Sequence, residues 1–231
     1  MNRDLVADDV IARIDGIAAV LFDLDGTLID TVDHILASFR HTTKVVLGRP
    51  LPDHVLMHNV GIPLKAQMRE FTDDEQVAEE LLVEYRAFNH ACHDKMAKLY
   101  PGTVEVLTGI QRRGVPMGIV TSKGTPMARR GIELFELGEY FDVVVTADDV
   151  TRHKPDPYPV LRAAELLGIS AAKCAYVGDS PHDVEAGRAA GALTVAITWG
   201  VSDAARLKAA GPDFMIDHIA DLPELLFGSE R

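Results

Sequence analysis

The first apolar run in the chain, Ala18-Ala19-Val20-Leu21-Phe22, stops abruptly at Asp23. A short continuous run bounded by polar residues predicts a buried strand. Gly26-Thr27 then predicts a turn. Over residues 31–47 the apolar positions Val32, Ile35, Leu36, Phe39, Val46 and Leu47 recur at helical spacing, and Gly48 and Pro50 end the pattern. Residues 52–71 are broken by Gly61 and Pro63, which predicts short helices around a loop. Residues 73–98 predict one long helix, with Thr72 or Asp73 as its N-cap. No strand pattern appears between Thr27 and Leu99.

After Pro101-Gly102 the rhythm changes. Strands are predicted over 115–120, 143–145, 175–177, 193–197 and 214–216, and helices over 104–113, 126–134, 157–167, 183–190 and 222–226. Strands that alternate with helices predict a parallel sheet covered on both faces. The fold class is therefore α/β: a Rossmann-like parallel-sheet core from residues 1–28 and 99–231, with an all-helical insert at 29–98 placed like a lid.

Composition narrows this picture only a little. A chain of 231 residues suits one or two domains and buries a core without disulfide or metal staples. The net charge of -12 repels nucleic acid and anionic membranes, so neither is expected as a partner. It repels phosphorylated metabolites as well, so a small anion must be drawn in by a metal, a lysine or backbone N–H groups. The two cysteines, Cys92 and Cys174, form no disulfide framework and no metal-ligand spacing. Cys174 leads into Ala175-Tyr176-Val177 and reads as a buried inert thiol. The start, Met1-Asn2-Arg3-Asp4, has mixed charge, and the run at 17–22 is far too short to span a bilayer. A soluble cytoplasmic protein, monomer or homodimer, is the expectation.

Ligands of open α/β sheets bind beyond the carboxyl ends of the strands. After the first strand comes Asp23-Leu24-Asp25-Gly26-Thr27; after the 115–120 strand, Thr121-Ser122-Lys123-Gly124; after the 143–145 strand, Thr146 and then Lys154; after the 175–177 strand, Gly178-Asp179-Ser180-Pro181-His182-Asp183. All these polar clusters fall at one sheet edge. Asp23 and Asp25, two apart at a strand end, can turn both carboxylates to one side. Gly26 lets the chain turn and lets N–H groups approach an anion. With Asp179 and Asp183, four acids would repel one another without a counter-ion. A hard divalent cation with oxygen ligands answers that, and Mg²⁺ suits phosphate. Lys154 adds a compact positive charge, and the Thr121 hydroxyl and Ser122 N–H add donors for phosphate oxygens. Each piece alone has a blander explanation. Asp-x-Asp can be a capped turn, Asp183 a helix-start acid, Lys154-Pro155 an extended loop, and Thr121-Ser122 a strand-to-helix turn. Their order and common edge argue for chemistry.

In that order the motifs resemble the haloacid dehalogenase superfamily. Asp23-Leu24-Asp25-Gly26-Thr27-Leu28 matches its first motif, Thr121 its second, Lys154 its third, and Gly178 to Asp183 its fourth; the insert looks like that family's C1 cap. The resemblance implies roles: Asp23 as nucleophile and Mg²⁺ ligand, Asp25 as general acid/base with its main-chain carbonyl on the metal, and Asp179 as a direct metal ligand with Asp183 direct or one shell out. It further implies that Thr121 binds the transferring phosphoryl group and that Lys154 holds nucleophile and phosphate together. The dehalogenase branch lacks an acid at the place of Asp25, because a halide needs no proton to leave. Segments such as Tyr85-Arg86-Ala87-Phe88-Asn89-His90 and Pro212-Asp213-Phe214-Met215 are similar to phosphoglycolate phosphatases and, more closely, to the bacterial inorganic pyrophosphatases of the superfamily. The implied function is hydrolysis of a small phosphorylated compound, pyrophosphate first and 2-phosphoglycolate second. A phosphomutase shares the nucleophile and acid/base pair. A receiver-like phospho-acceptor module needs neither Asp25 nor a lid.

On the long insert helix, Leu81, Tyr85, Phe88, Cys92 and Met96 form an apolar stripe. Arg86, Asn89, His90 and His93 form a second stripe on one shared face. That face is either solvated surface or a surface looking down on the leaving group, where Arg86 and the histidines would meet a second phosphate. Zinc on His90 and His93 has helical ligand spacing but lacks a third ligand. Gly61-Ile62-Pro63 with Lys65 reads either as a specificity loop or as a plain helix–helix turn.

Overall fold

The computed structural model describes residues 8–228, and Met1-Asn2-Arg3-Asp4 lies outside the described residues. In chain order the elements are α1 (Asp8–Asp15), β1 (Ala19–Phe22), β2 (Ile29–Asp30), α2 (Val32–Val46), α3 (Asp53–Leu56), α4 (Leu64–Met68), α5 (Glu75–Met96), β3 (Lys98–Leu99), α6 (Thr103–Arg112) and β4 (Met117–Val120). Then follow α7 (Thr125–Leu134), β5 (Val143–Val145), α8 (Tyr158–Leu167), β6 (Cys174–Gly178), α9 (Pro181–Ala190), β7 (Leu193–Ile197), α10 (Ala204–Ala210), β8 (Phe214–Ile216) and α11 (Leu222–Phe227).

Six strands form one sheet in the order β5-β4-β1-β6-β7-β8, and every pairing is parallel. The strand pattern of β1 explains its apolar run. Val20 and Phe22 face the cluster built with α1, α6, α7 and α11, while Ala19 and Leu21 face the cluster built with α8 and α9. A strand covered on both faces has no polar side to show, so alternation disappears. The chain runs outward from β1 to β4 and β5, then returns to β6 and runs outward the other way. The direction reverses beside β1, and the carboxyl ends of β1, β4 and β6 open a crevice there.

Helices α2 to α5 pack round a separate apolar cluster that includes Phe39, Leu56, Met68, Leu81 and Tyr85. The rings of Phe39 and Tyr85 lie 4.8 Å apart between α2 and α5. The sequence pattern shows no strand between residues 27 and 99, yet β2 and β3 pair antiparallel, Ile29 with Leu99 and Asp30 with Lys98. Strands of two residues are too short to carry a periodicity. This small ladder is where the chain leaves for the helical insert and returns.

One other expectation is corrected. The N-cap of α5 is neither Thr72 nor Asp73 but Asp74, whose carboxylate accepts from the N–H groups of Gln76 and Val77. Helices α1 and α10, of 8 and 7 residues, are too short for a helical period to stand out in the sequence. Cys174 is fully buried, and burial pushes its thiol up to about 11; neither Cys92 nor Cys174 is in a disulfide. Among the described residues no helix is long and apolar enough to cross a membrane.

Candidate active site

Asp23 is the first residue beyond β1, held by its N–H donating 2.9 Å to the Val177 carbonyl of β6. The next residues turn back sharply, with the N–H groups of Leu28 and Ile29 both donating to the Leu24 carbonyl at 3.0 Å. Gly26 sits in this turn at φ 80. A Cβ there would stand 2.1 Å from an Asp179 carboxylate oxygen, and one on Gly200 would stand 2.2 Å from the same atom. Two bare backbones therefore make the slot that Asp179 occupies. Inside it, Asp179 accepts from the Val201 N–H at 2.7 Å.

Carboxylate oxygens of Asp23, Asp179 and Asp183 all lie within 4.8 Å of one another, and all three residues are buried. Lys154, also buried, projects its ammonium among them, 3.0 Å from Asp23 and 2.6 Å from Asp183. Three carboxylates thus face one ammonium. Burial and the charge of Asp183 raise the Asp23 carboxyl to about 7 in spite of Lys154. Burial, with Asp23 and Asp183, pushes Asp179 well above the usual carboxylate range. Burial alone would depress Lys154, but Asp183 and Asp23 hold it above the ordinary lysine range. Such a cluster of hard oxygen donors short of positive charge fits a divalent cation.

Asp183 differs from the other two. One of its oxygens accepts from Lys154 and from the Tyr176 hydroxyl at 2.8 Å; the other accepts from the Ser180 N–H at 3.1 Å and from the Ser180 hydroxyl. It closes the capping box of α9 and anchors Lys154 at once. The positive charge of Lys154, together with these hydrogen bonds, more than offsets burial and holds it below the usual range. The helix-start and the chemical explanations of Asp183 both describe it.

The carboxylate of Asp25 lies outside the three-acid cluster. It accepts from the Lys123 ammonium at 2.7 Å and from the Thr31 hydroxyl at 2.8 Å. Burial would raise its pKa, but Lys123 and Thr31 bring it below the ordinary value. Lys123 stands in the cluster after β4, yet no local pattern in the sequence says which distant acid it will meet. Thr121, buried at the end of β4, turns its hydroxyl to the Lys123 N–H at 3.2 Å, and Ser122 follows it at the cavity wall.

Asp23, Asp25, Thr121, Ser122, Lys123, Lys154 and Asp179, though not Asp183, border a cavity of about 540 Å³ that the helical insert covers on one side. The Gly61 to Lys65 segment lines it, as do Arg86, Asn89 and His90. The stripe on α5 does not act as one surface. Arg86 and His90 are exposed at the cavity, Asn89 is buried beside it, and His93 is fully buried away from it, its ring 5.5 Å from that of His34. His93 meets Asp94 at 2.9 Å, and Asp94 in turn holds Arg130 of α7. Helical spacing tells which residues share a face but not where a neighbouring helix covers half of it. Among the described residues His90 and His93 belong to no ligand cluster.

His34 is a further site residue that the apolar pattern passes over. It borders the cavity from α2 while almost wholly buried. The polar positions His34, Ser38 and Thr42 recur every fourth residue on the inward side of α2, a signal present in the sequence.

A protein-family model described as haloacid dehalogenase-like hydrolase matches residues 20–197. Pyrophosphatase PpaX of Bacillus cereus (strain B4264) is 39% identical over 215 residues, 93% of this chain and 99% of that one. The protein of the same name from Bacillus thuringiensis (strain Al Hakam) is 38% identical over the same share of each. Among solved structures, a hydrolase from Pseudomonas syringae superposes with a TM-score of 0.79 at 28% identity, covering 89% of this chain and 95% of that one. A predicted phosphoglycolate phosphatase from Haemophilus somnus gives 0.84 at 21% identity, covering 91% and 98%, a likeness of fold alone. With the family model spanning the whole sheet up to β7 and relatives of this identity spanning nearly the full chain, the protein belongs to the haloacid dehalogenase-like hydrolases.

Proposed function

We propose that the chain hydrolyses a small phosphorylated compound through an aspartyl-phosphate on Asp23, with pyrophosphate as its first substrate and 2-phosphoglycolate as its second. The observation that carries this is the Asp23 carboxylate at the cavity, within hydrogen-bond reach of Lys154 and beside Asp179 and Asp183. The names of the relatives support the order of substrates.

In this reading Asp23, Asp179 and the Asp25 main-chain carbonyl hold Mg²⁺, and Asp183 acts through Lys154, since its oxygens already carry four hydrogen bonds. The ion supplies positive charge that offsets the repulsion between an anionic carboxylate and an anionic phosphate. Asp23 attacks phosphorus, and the bond to the leaving oxygen breaks as Asp25 gives that oxygen a proton. Water then attacks the same phosphorus while Asp25 takes its proton, and Asp23 is released. The proton that Asp25 takes from water in one turnover is the one it gives to the leaving oxygen in the next, and the pair with Lys123 favours the charged form that the second half needs. Thr121 and Ser122 donate to the transferring phosphoryl oxygens, and Lys154 follows the charge as it moves to them. Arg86 has no carboxylate partner among the described residues, and with His90 it faces the leaving phosphate.

Phosphate release measured side by side from pyrophosphate, 2-phosphoglycolate and sugar phosphates tests the substrate order. Asp23→Asn should abolish release from all of them with the fold intact by circular dichroism. Retained turnover would remove Asp23 as nucleophile.

A further inference from the structure

We propose that His34 contacts the substrate, its Nδ1 accepting a hydrogen bond from an O–H on the departing part. The inference rests on the pyrophosphate reading and deepens it.

The tautomer follows from geometry. His34 Nε2 lies 3.0 Å from the main-chain oxygen of Asn89. A carbonyl only accepts, so Nε2 carries the hydrogen, and in a neutral ring Nδ1 is then a bare acceptor. Burial depresses the ring's pKa to about 4, which keeps it neutral at physiological pH. Nδ1 is buried and has no hydrogen-bond partner among the described residues. An acceptor in that position is costly unless a ligand satisfies it.

The ring is also held in place. The Asn89 amide donates 3.1 Å to the Ser38 hydroxyl, which donates 2.7 Å to the His34 carbonyl. This closed circuit between α2 and α5 fixes a residue only three positions beyond Thr31, the partner of Asp25. His34 therefore belongs on the leaving-group side, where Lys65, Lys123 and Arg86 border the same cavity.

The cations attract any anion; a neutral acceptor discriminates among them. Pyrophosphate protonated on its far phosphate offers a P–OH. The far end of 2-phosphoglycolate is a carboxylate with no hydrogen at neutral pH, so it sets lone pair against lone pair. A site built to accept a hydroxyl rejects a ligand that lacks one.

Two substitutions separate the ring's two nitrogens. In His34→Gln the side-chain amide nitrogen reaches the place of Nε2 and keeps the bond to Asn89, but the acceptor at Nδ1 is gone. His34→Asn places its amide oxygen near Nδ1 and gives up the bond to Asn89. Steady-state kinetics with Mg²⁺ on both substrates, together with melting temperatures, read the outcome. His34→Gln should raise KM for pyrophosphate about three- to ten-fold with kcat little changed, the size of one neutral hydrogen bond. The preference for pyrophosphate over 2-phosphoglycolate should fall by a similar factor, with the melting temperature kept. His34→Asn should melt earlier yet retain the preference. Equal effects of His34→Gln on both substrates, or none, would reduce His34 to a strut between two helices and overturn the inference. A wild-type protein that cleaves monoesters but not pyrophosphate would instead sink the substrate reading, and this inference with it.

Discussion

Lys154 holds the most exposed position in the energetics of this molecule, although it is almost wholly out of water. It is the one ammonium among three buried carboxylates and is bonded to two of them. Removing one partner of a buried ion pair costs about 3–5 kcal/mol, because the charge left behind is uncompensated. Lys154→Ala should therefore lower stability in denaturant titrations by about that amount, and a divalent cation should restore part of it. A wild-type midpoint would mean that Asp183 simply takes up a proton. His34 gives a residue-scale pH dependence. Its folded pKa of about 4 lies below the ordinary 6.5, so between those values the unfolded chain binds the extra proton. The stability this histidine contributes is complete above pH 6.5 and disappears as pH falls toward 4. Relative to His34→Gln, the wild type should lose up to about 3 kcal/mol across that window, measured by thermal melts at successive pH values. A constant difference would mean that the ring is solvated.

Between elements, the contacts that matter most are made by missing atoms. Gly200 follows β7 and Gly26 follows β1, and the two leave the slot for Asp179. Gly200→Ala should push Asp179 aside and weaken metal half-saturation about 10- to 100-fold, read by Mg²⁺ titration of activity, with the sheet unchanged. An unaltered titration would remove Asp179 from the metal site. The strands themselves were legible in the sequence because a sheet buried on both faces writes its strands as unbroken apolar runs, as in Ala19-Val20-Leu21-Phe22. The acids at their ends were legible for the same reason: polarity returns where burial stops. What the sequence hid is set by partners far along the chain. Lys123 finds Asp25 across 98 positions, and His93 is buried because α2 and α7 cover it. Helical spacing showed Arg86, Asn89, His90 and His93 on one face, but only packing divides the residues at the cavity from those beneath a neighbour.

At the scale of the whole molecule, a chain of net charge -12 is built to take in anions. Its long-range field opposes that, so attraction must come from within the cavity, where Lys65, Lys123, Arg86 and Lys154 converge. The cluster of Asp23, Asp179 and Asp183 could hold a cation as well. Chelation should silence phosphate release, and Mg²⁺ should restore it; a rate indifferent to chelator would exclude the metal-assisted route. The antiparallel ladder of β2 and β3 has a consequence for ancestry. Because departure and return are neighbouring, hydrogen-bonded strands, everything between them can be lengthened, shortened or exchanged while β1 keeps both of its partners in the sheet. A lineage carrying this joint can retain one set of acids at the sheet edge and acquire new tastes in cargo by replacing only the bundle suspended above them.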